Sequence, residues 1–144
     1  MKKMFLFMMM FLTVTVGFSL NGYAHEKRVV ANQYEFIVGF STEPAFSGQM
    51  NGVDLHVRHD GKPVEGIEND LKVTVIREKE NKSIELSFRK KYKEPGRYNA
   101  YFLPTQPGQY VFLIEGVING TDINERFVSG EKFSDVHDTT EVRF

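Results

Sequence analysis

From Tyr34 to Phe127 apolar and polar residues alternate with a period of two, and no long segment carries the three-to-four-residue spacing of an amphipathic helix. In "VDLHVRH" the residues Val53, Leu55 and Val57 fall on one face, while Asp54, His56 and Arg58 fall on the other. "LKVTVIRE" repeats the pattern with Leu71, Val73 and Val75, and "SIELSFRK" with Ile84, Leu86 and Phe88. "YEFIVGF", Tyr34 to Phe40, is a mostly apolar strand. A chain built of such segments cannot bury its apolar faces within one strand or one helix. It must pair the strands into sheets and set one sheet on another.

Turn chemistry punctuates the alternation. "DGKP" at Asp60 to Pro63 reads as a turn, and "KENK" at Lys79 to Lys82 as a charged hairpin tip. In "EPGRYNAYFLPTQPGQYVFLIEGVINGTDINERF", two Pro-Gly turns each launch a tyrosine-led strand. The first strand points Tyr98, Ala100 and Phe102 one way, and the second does so with Tyr110, Phe112 and Ile114. Asn119-Gly120 suits the tight hairpin turn whose two central residues both need positive φ, and "TDINERF" is the returning strand. The expected fold is all-β, an immunoglobulin-like antiparallel β-sandwich of about seven strands.

The spacing Pro-Gly-x-Tyr-x-x-x-Phe-x-Pro-x-x-Pro-Gly-x-Tyr resembles bacterial immunoglobulin-like envelope domains of the YtkA-like and CopC-like groups. The resemblance implies a tyrosine corner, in which the hydroxyl bonds back to nearby backbone while the ring packs inward. A second likeness spans nearly the whole chain after residue 24. "AHEKRVV", "YEFIVGFSTEPAFSGQMNGVDLHV" and "GKPVEG" are similar to small exported bacterial proteins that begin near a His-Glu pair, and this likeness implies metal handling at the envelope.

The amino terminus explains the export. Lys2 and Lys3 precede the uncharged run "MFLFMMMFLTVTVGFSL", and "NGYA" then offers Gly22 and Ala24 where a signal peptidase reads small residues. Residues 1–24 are therefore expected to be a signal peptide and residues 25–144 one mature domain, with no membrane span after cleavage. The destination is the periplasm or the extracellular space of a bacterium. The chain has no cysteine, so an exported domain of this size relies on its core without disulfides. With Lys2 and Lys3 removed, 16 basic residues face 19 acidic ones, a formal charge of −3 that offers no surplus for binding nucleic acid. The sequons "NKS" and "NGT" are expected to be turns.

Cleavage after Ala24 would make His25 a free terminal histidine. Its α-amine and imidazole can then chelate one ion, and copper(II) favours such tetragonal nitrogen and oxygen sets. CopC-like proteins pair an N-terminal histidine with an Asp-x-His segment. That resemblance implies Asp135 and His137, in "SDVHD", as the residues completing a site centred on His25. The bland expectation for His25 is a frayed polar terminus, and for His137 an exposed acidic tail. His56 and His59, three apart on a strand, point to opposite faces and do not share an ion.

No catalytic motif stands beside these residues. Gly-x-Ser-x-Gly, His-Glu-x-x-His and a phosphate-binding glycine loop are all missing from the sequence, and a cysteine nucleophile is impossible. The chain is expected to bind rather than catalyse. One reading makes it a copper(II)-binding protein of the envelope. The other makes it a metal-free interaction module or transporter accessory, presenting the Phe40–Gly52 loop, with Phe46 and Met50, or the basic stretch "SFRKKYKEPGR" to an envelope protein, although Phe46 is rather expected to plug the end of the sandwich.

Overall fold

The computed structural model describes residues 24–143; the signal-peptide assignment falls almost entirely on residues outside this range. The strands are β1 (His25–Val30), β2 (Tyr34–Phe40), β3 (Asn51–His59), β4 (Lys62–Pro63), β5 (Leu71–Arg77), β6 (Lys82–Ser87), β7 (Arg89–Lys90), β8 (Arg97–Phe102), β9 (Val111–Ile118) and β10 (Thr121–Val128). One sheet runs β1-β2-β3-β8-β7, with β4 added to β3, and the other runs β10-β9-β5-β6. Every strand pairing is antiparallel. The result is an immunoglobulin-like sandwich in which all the buried apolar faces meet between two sheets.

Alternation places the residues as the sequence requires. Phe36, Val38 and Phe40 of β2, Val53, Leu55 and Val57 of β3, and Tyr98 and Ala100 of β8 face inward and are buried, as are Val73, Phe112 and Ile114 across the gap. Phe40, Phe102, Tyr110, Phe112 and Phe133 form one aromatic cluster spanning both sheets. Phe40 meets Phe112 edge-on at 5.2 Å between ring centroids, and Phe133 stacks on Phe112 at 5.7 Å. Asn119 and Gly120 have φ of 47° and 78°, which fits the tight turn expected there, and Asn81 sits in the β5–β6 turn.

Both tyrosines behind the Pro-Gly turns are anchored through their hydroxyls. Tyr110 donates to Gln106 O four residues upstream at 2.9 Å, the geometry of a tyrosine corner. Tyr98 instead donates to Val64 O at 2.6 Å, fastening the β4–β5 connection.

Three local expectations change. The polar terminal segment is the edge strand β1, registered from His25 opposite Gly39 to Val30 opposite Tyr34. Arg28 explains why it holds: its guanidinium bonds Glu26 at 2.7 Å and Glu125 of β10 at 2.8 Å and lies 4.2 Å from the Phe127 ring centre, so it joins the two sheet edges. The chain after β10 is no exposed tail. Gly108 and Val136 exchange backbone hydrogen bonds, His137 N–H donates to Ala45 O at 2.8 Å, and Phe133 and Val136 are buried, so the segment closes one end of the sandwich. Finally, Ile84 is 53% exposed although Phe88 on the same run is buried, because β6 is an edge strand with a neighbour on one side only.

These burials set a contrast in stability. Phe112→Ala should cost roughly 3–5 kcal/mol, as large-to-small changes in a packed core do, whereas the change Ile84→Ala should stay within about 1 kcal/mol. Urea denaturation midpoints of the two variants against the parent measure the difference.

Candidate functional site

The outward face of the larger sheet carries one cross-strand row that differs from its neighbours. His25 of β1 is opposite Gly39 of β2, Gly39 opposite Asp54 of β3, and Asp54 opposite Asn99 of β8. A side chain on β2 would normally separate β1 from β3. Here a Cβ at position 39 would lie 2.9 Å from the His25 ring and 2.4 Å from the Ala24 carbonyl oxygen. The missing Cβ lets the imidazole cross over β2 and hydrogen-bond Asp54, with Nε2 at 2.9 Å from Oδ2.

Asp54 is the hub of this face. It points away from the apolar core, yet it is only 3% exposed because His25, Lys91 and Arg97 cover it. Arg97 donates to Oδ2 at 3.0 Å, Lys91 Nζ lies 3.6 Å from Oδ1, and Glu94 holds the other end of Arg97. Burial pushes the Asp54 carboxyl up, but the His25 hydrogen bond and the Lys91 and Arg97 charges outweigh it and hold it below the usual carboxylate value. Two of the cations in "SFRKKYKEPGR" are thus turned toward a carboxylate on β3. The alternation of β3 predicted the face of Asp54, but only the register with β1 and β8 supplies its partners.

The other singled-out residues separate. Asp135 accepts a hydrogen bond from the buried Ser129 hydroxyl and packs against Gly130, where it braces the turn closed by Gly130 N–H and Phe133 O. His137 bridges to Phe46 along the backbone, its ring centroid 5.7 Å from that of Phe46 and its Nδ1 3.4 Å from Glu141. Ala45 is fully buried and plugs the sandwich end, while Phe46 is half-buried beside it. Met50 is 64% exposed. His56 lies on the outward face opposite Arg97, and burial together with Arg58 and Arg97 lowers its pKa. His59 sits with its ring 5.2 Å from that of Tyr34. Among the described residues no three His, Asp or Glu side chains are grouped closely enough to hold a metal ion by themselves.

Chemically, the row is a positioned imidazole. With Nε2 directed at a carboxylate that holds its charge, a neutral ring favours the tautomer protonated on Nε2, which leaves the lone pair on Nδ1. The Ala24 carbonyl lies over Gly39, so the nitrogen of His25 bonded to that carbonyl carbon lies beside the same glycine and beside its own ring. A cavity of about 450 Å³ opens on the far side of the network, between Glu65–Glu68 and Lys90–Tyr98, with walls carrying charges of both signs. No described helix is long and apolar enough to cross a membrane.

Similarity to known proteins reaches the fold. No family model matches the chain, and no curated protein sequence matches it. Among solved structures, a DUF4426 family protein from Pseudomonas aeruginosa PAO1 superposes with a TM-score of 0.56 at 18% identity, covering 79% of this chain and 98% of that one. The filamin domain of Lin-41 gives a TM-score of 0.44 at 14% identity, covering 70% of this chain and 90% of that domain. At these identities the first likeness speaks for the two-sheet architecture, and the outward row has to be read from its own chemistry.

In metal-free protein, Asp54→Asn should cost about 2–3 kcal/mol, less than a fully buried ion pair because Lys91 and Arg97 stay partly hydrated. Because Asp54 titrates lower in the folded protein than in the unfolded chain, its contribution is complete above the unfolded value, about pH 4. It is lost as the pH falls through the folded pKa. Stability measured from pH 7 down to 2.5 should therefore fall less steeply in the variant at the acid end.

Proposed function

We propose that this chain is an exported bacterial envelope protein of the YtkA-like and CopC-like kind, which binds copper(II) at its mature amino terminus and does not catalyse a reaction. The single observation that carries the reading is the contact of His25 Nε2 with Asp54 across Gly39. A terminal histidine chelates through its α-amine and Nδ1, and the second ring nitrogen must then be satisfied elsewhere. Metal-bound histidines commonly donate that N–H to a carboxylate, which fixes the ring and raises its basicity. Here the carboxylate is in place, charged and sheltered from water. The strand β1 holds the backbone of His25, so little conformational freedom is lost when an ion binds.

Asp135 and His137 enter this proposal unequally. The side chain of Asp135 is engaged at the Ser129 turn, whereas His137 is 42% exposed, its ring against Phe46 and its Nδ1 3.4 Å from Glu141, a surface contact that an ion could replace. A second reading, the metal-free interaction module, draws on a different observation. Met50, Tyr101 and Leu103 are all exposed, and they adjoin one another where β3 and β8 end in the register Asn51 to Phe102. An envelope protein with an apolar contact surface would be its partner.

Copper(II) titrated into the protein beginning at His25, and into the same protein carrying one extra N-terminal alanine, separates the readings. The extra residue converts the amine into a peptide nitrogen, and binding should weaken at least 100-fold. Equal, weak binding by both proteins ends the copper reading and leaves the interaction module. His137→Ala reports separately on the end-closing segment: unchanged affinity removes His137 from the site and keeps His25.

A further inference from the structure

The cavity on the far side of the Asp54 network has two walls of opposite sign. One is the loop after β4, with Glu65 and Glu68. The other runs from β7 into β8, with Lys90, Lys91, Lys93 and Arg97 against the carboxylate of Glu94. Opposite charges facing one another ordinarily close a gap by pairing across it. Here Lys91 and Arg97 pair with Asp54 and Glu94 instead, and among the described residues Glu65 and Glu68 have no ion-pair partner.

The fold holds the walls in place. At the start of the acidic loop the Tyr98 hydroxyl donates to Val64 O at 2.6 Å, and further along Ile67 is buried while its carbonyl accepts from Asp70 N–H at 3.1 Å. The basic wall is a closed turn, in which Lys91 N–H donates to Arg97 O at 2.9 Å and Arg97 N–H donates to Glu94 O at 3.2 Å. Gly96, with φ of 74°, lets that turn approach the sheet: a Cβ there would lie 2.7 Å from Pro63 Cβ and 2.9 Å from Val57 O. The space between the walls is therefore set by backbone contacts, and its volume of about 450 Å³ is that of a preformed small-molecule site.

The polar atoms left over on the two walls are complementary. Arg97 commits Nη1 to Glu94 and Nη2 to Asp54, yet its Nε–H is shielded from water and has no acceptor among the described residues. Glu68 Oε2 is shielded likewise and has no donor. A donor on the basic wall and an acceptor on the acidic wall thus both lack partners, and buried polar groups in that condition call for one. Tyr92, 85% exposed on the basic wall, adds apolar surface beside them.

We propose that this cavity binds a small zwitterion, an unblocked amino acid or dipeptide, with its carboxylate on the side of Arg97 and Lys91 and its ammonium on Glu68. An anion alone would bring negative charge up to Glu65 and Glu68, and a cation alone would meet four basic side chains. A ligand with one charge at each end matches both walls at once. The site is separate from the His25 chelate and stands whether or not copper(II) binds there.

The test is calorimetric titration of the protein beginning at His25, in metal-free buffer, with alanyl-leucine, N-acetyl-alanyl-leucine and alanyl-leucine amide. Alanyl-leucine binds, and blocking either end weakens binding roughly 10- to 100-fold, the usual effect of losing a hydrogen bond to a charged group. Glu68→Gln should abolish the preference for a free amine and keep that for a free carboxylate. Arg97→Lys, which retains a positive charge beside Asp54 but has no Nε, should reduce the carboxylate preference and keep the amine preference. Circular dichroism melting establishes that both variants fold, and the comparison of the three peptides needs no variant. No binding of alanyl-leucine up to about 10 mM, equal affinity for the three peptides, or either preference surviving its matching variant overturns the proposal.

Discussion

The inter-sheet aromatic cluster is what the rest of this molecule depends on. Phe40 from one sheet and Phe112 from the other meet edge-on, with Phe102, Tyr110 and Phe133 packed around them. Without cysteines, no covalent bond holds the sheets together. Apolar burial supplies the association, at about 25 cal/mol for each Å² removed from water, and aromatic rings carry a large share of it. Phe40 belongs to β2, the strand that sits between the edge strand β1 and the central β3. Fixing Phe40 in the core therefore fixes Gly39 on the opposite face one residue away, and with it the register that brings His25 over β2.

The two faces of the larger sheet divide the labour. Its inner face is apolar and interchangeable in character with many other sandwiches. Its outer face carries a buried carboxylate surrounded by His25, Lys91 and Arg97, an arrangement that costs desolvation and contributes little net stability compared with apolar residues of the same volume. Such a network has its value in orientation. It holds one imidazole in one tautomer at the end of an edge strand, at the point where the proposed cleavage would create an amine.

The end-closing segment has a comparable double role. Phe133 and Val136 pack into the core, and the backbone of His137 is stitched to Ala45 and Ser47. The side chain between those two anchors has a fixed origin, and its ring lies against Phe46 and near Glu141.

Much of the fold was legible in the sequence, because period-two alternation and turn residues are local signals. Tyr34–Phe40 coincides with β2, Asn119-Gly120 forms the tight turn, and Tyr110 makes its corner bond. Strand β1 was not legible, since His25 to Val30 mixes charges with apolar residues and is held by Arg28 reaching Glu125, 97 positions away. The candidate site shows the same division. Sequence marked out His25, its free nitrogens and the charged face of β3, all properties of single residues and short spacings. Only the tertiary structure decided that Gly39 opens a path to Asp54 and that Asp135 serves a turn. Those are outcomes of register and of loop closure between residues far apart in the chain, and no local pattern encodes them.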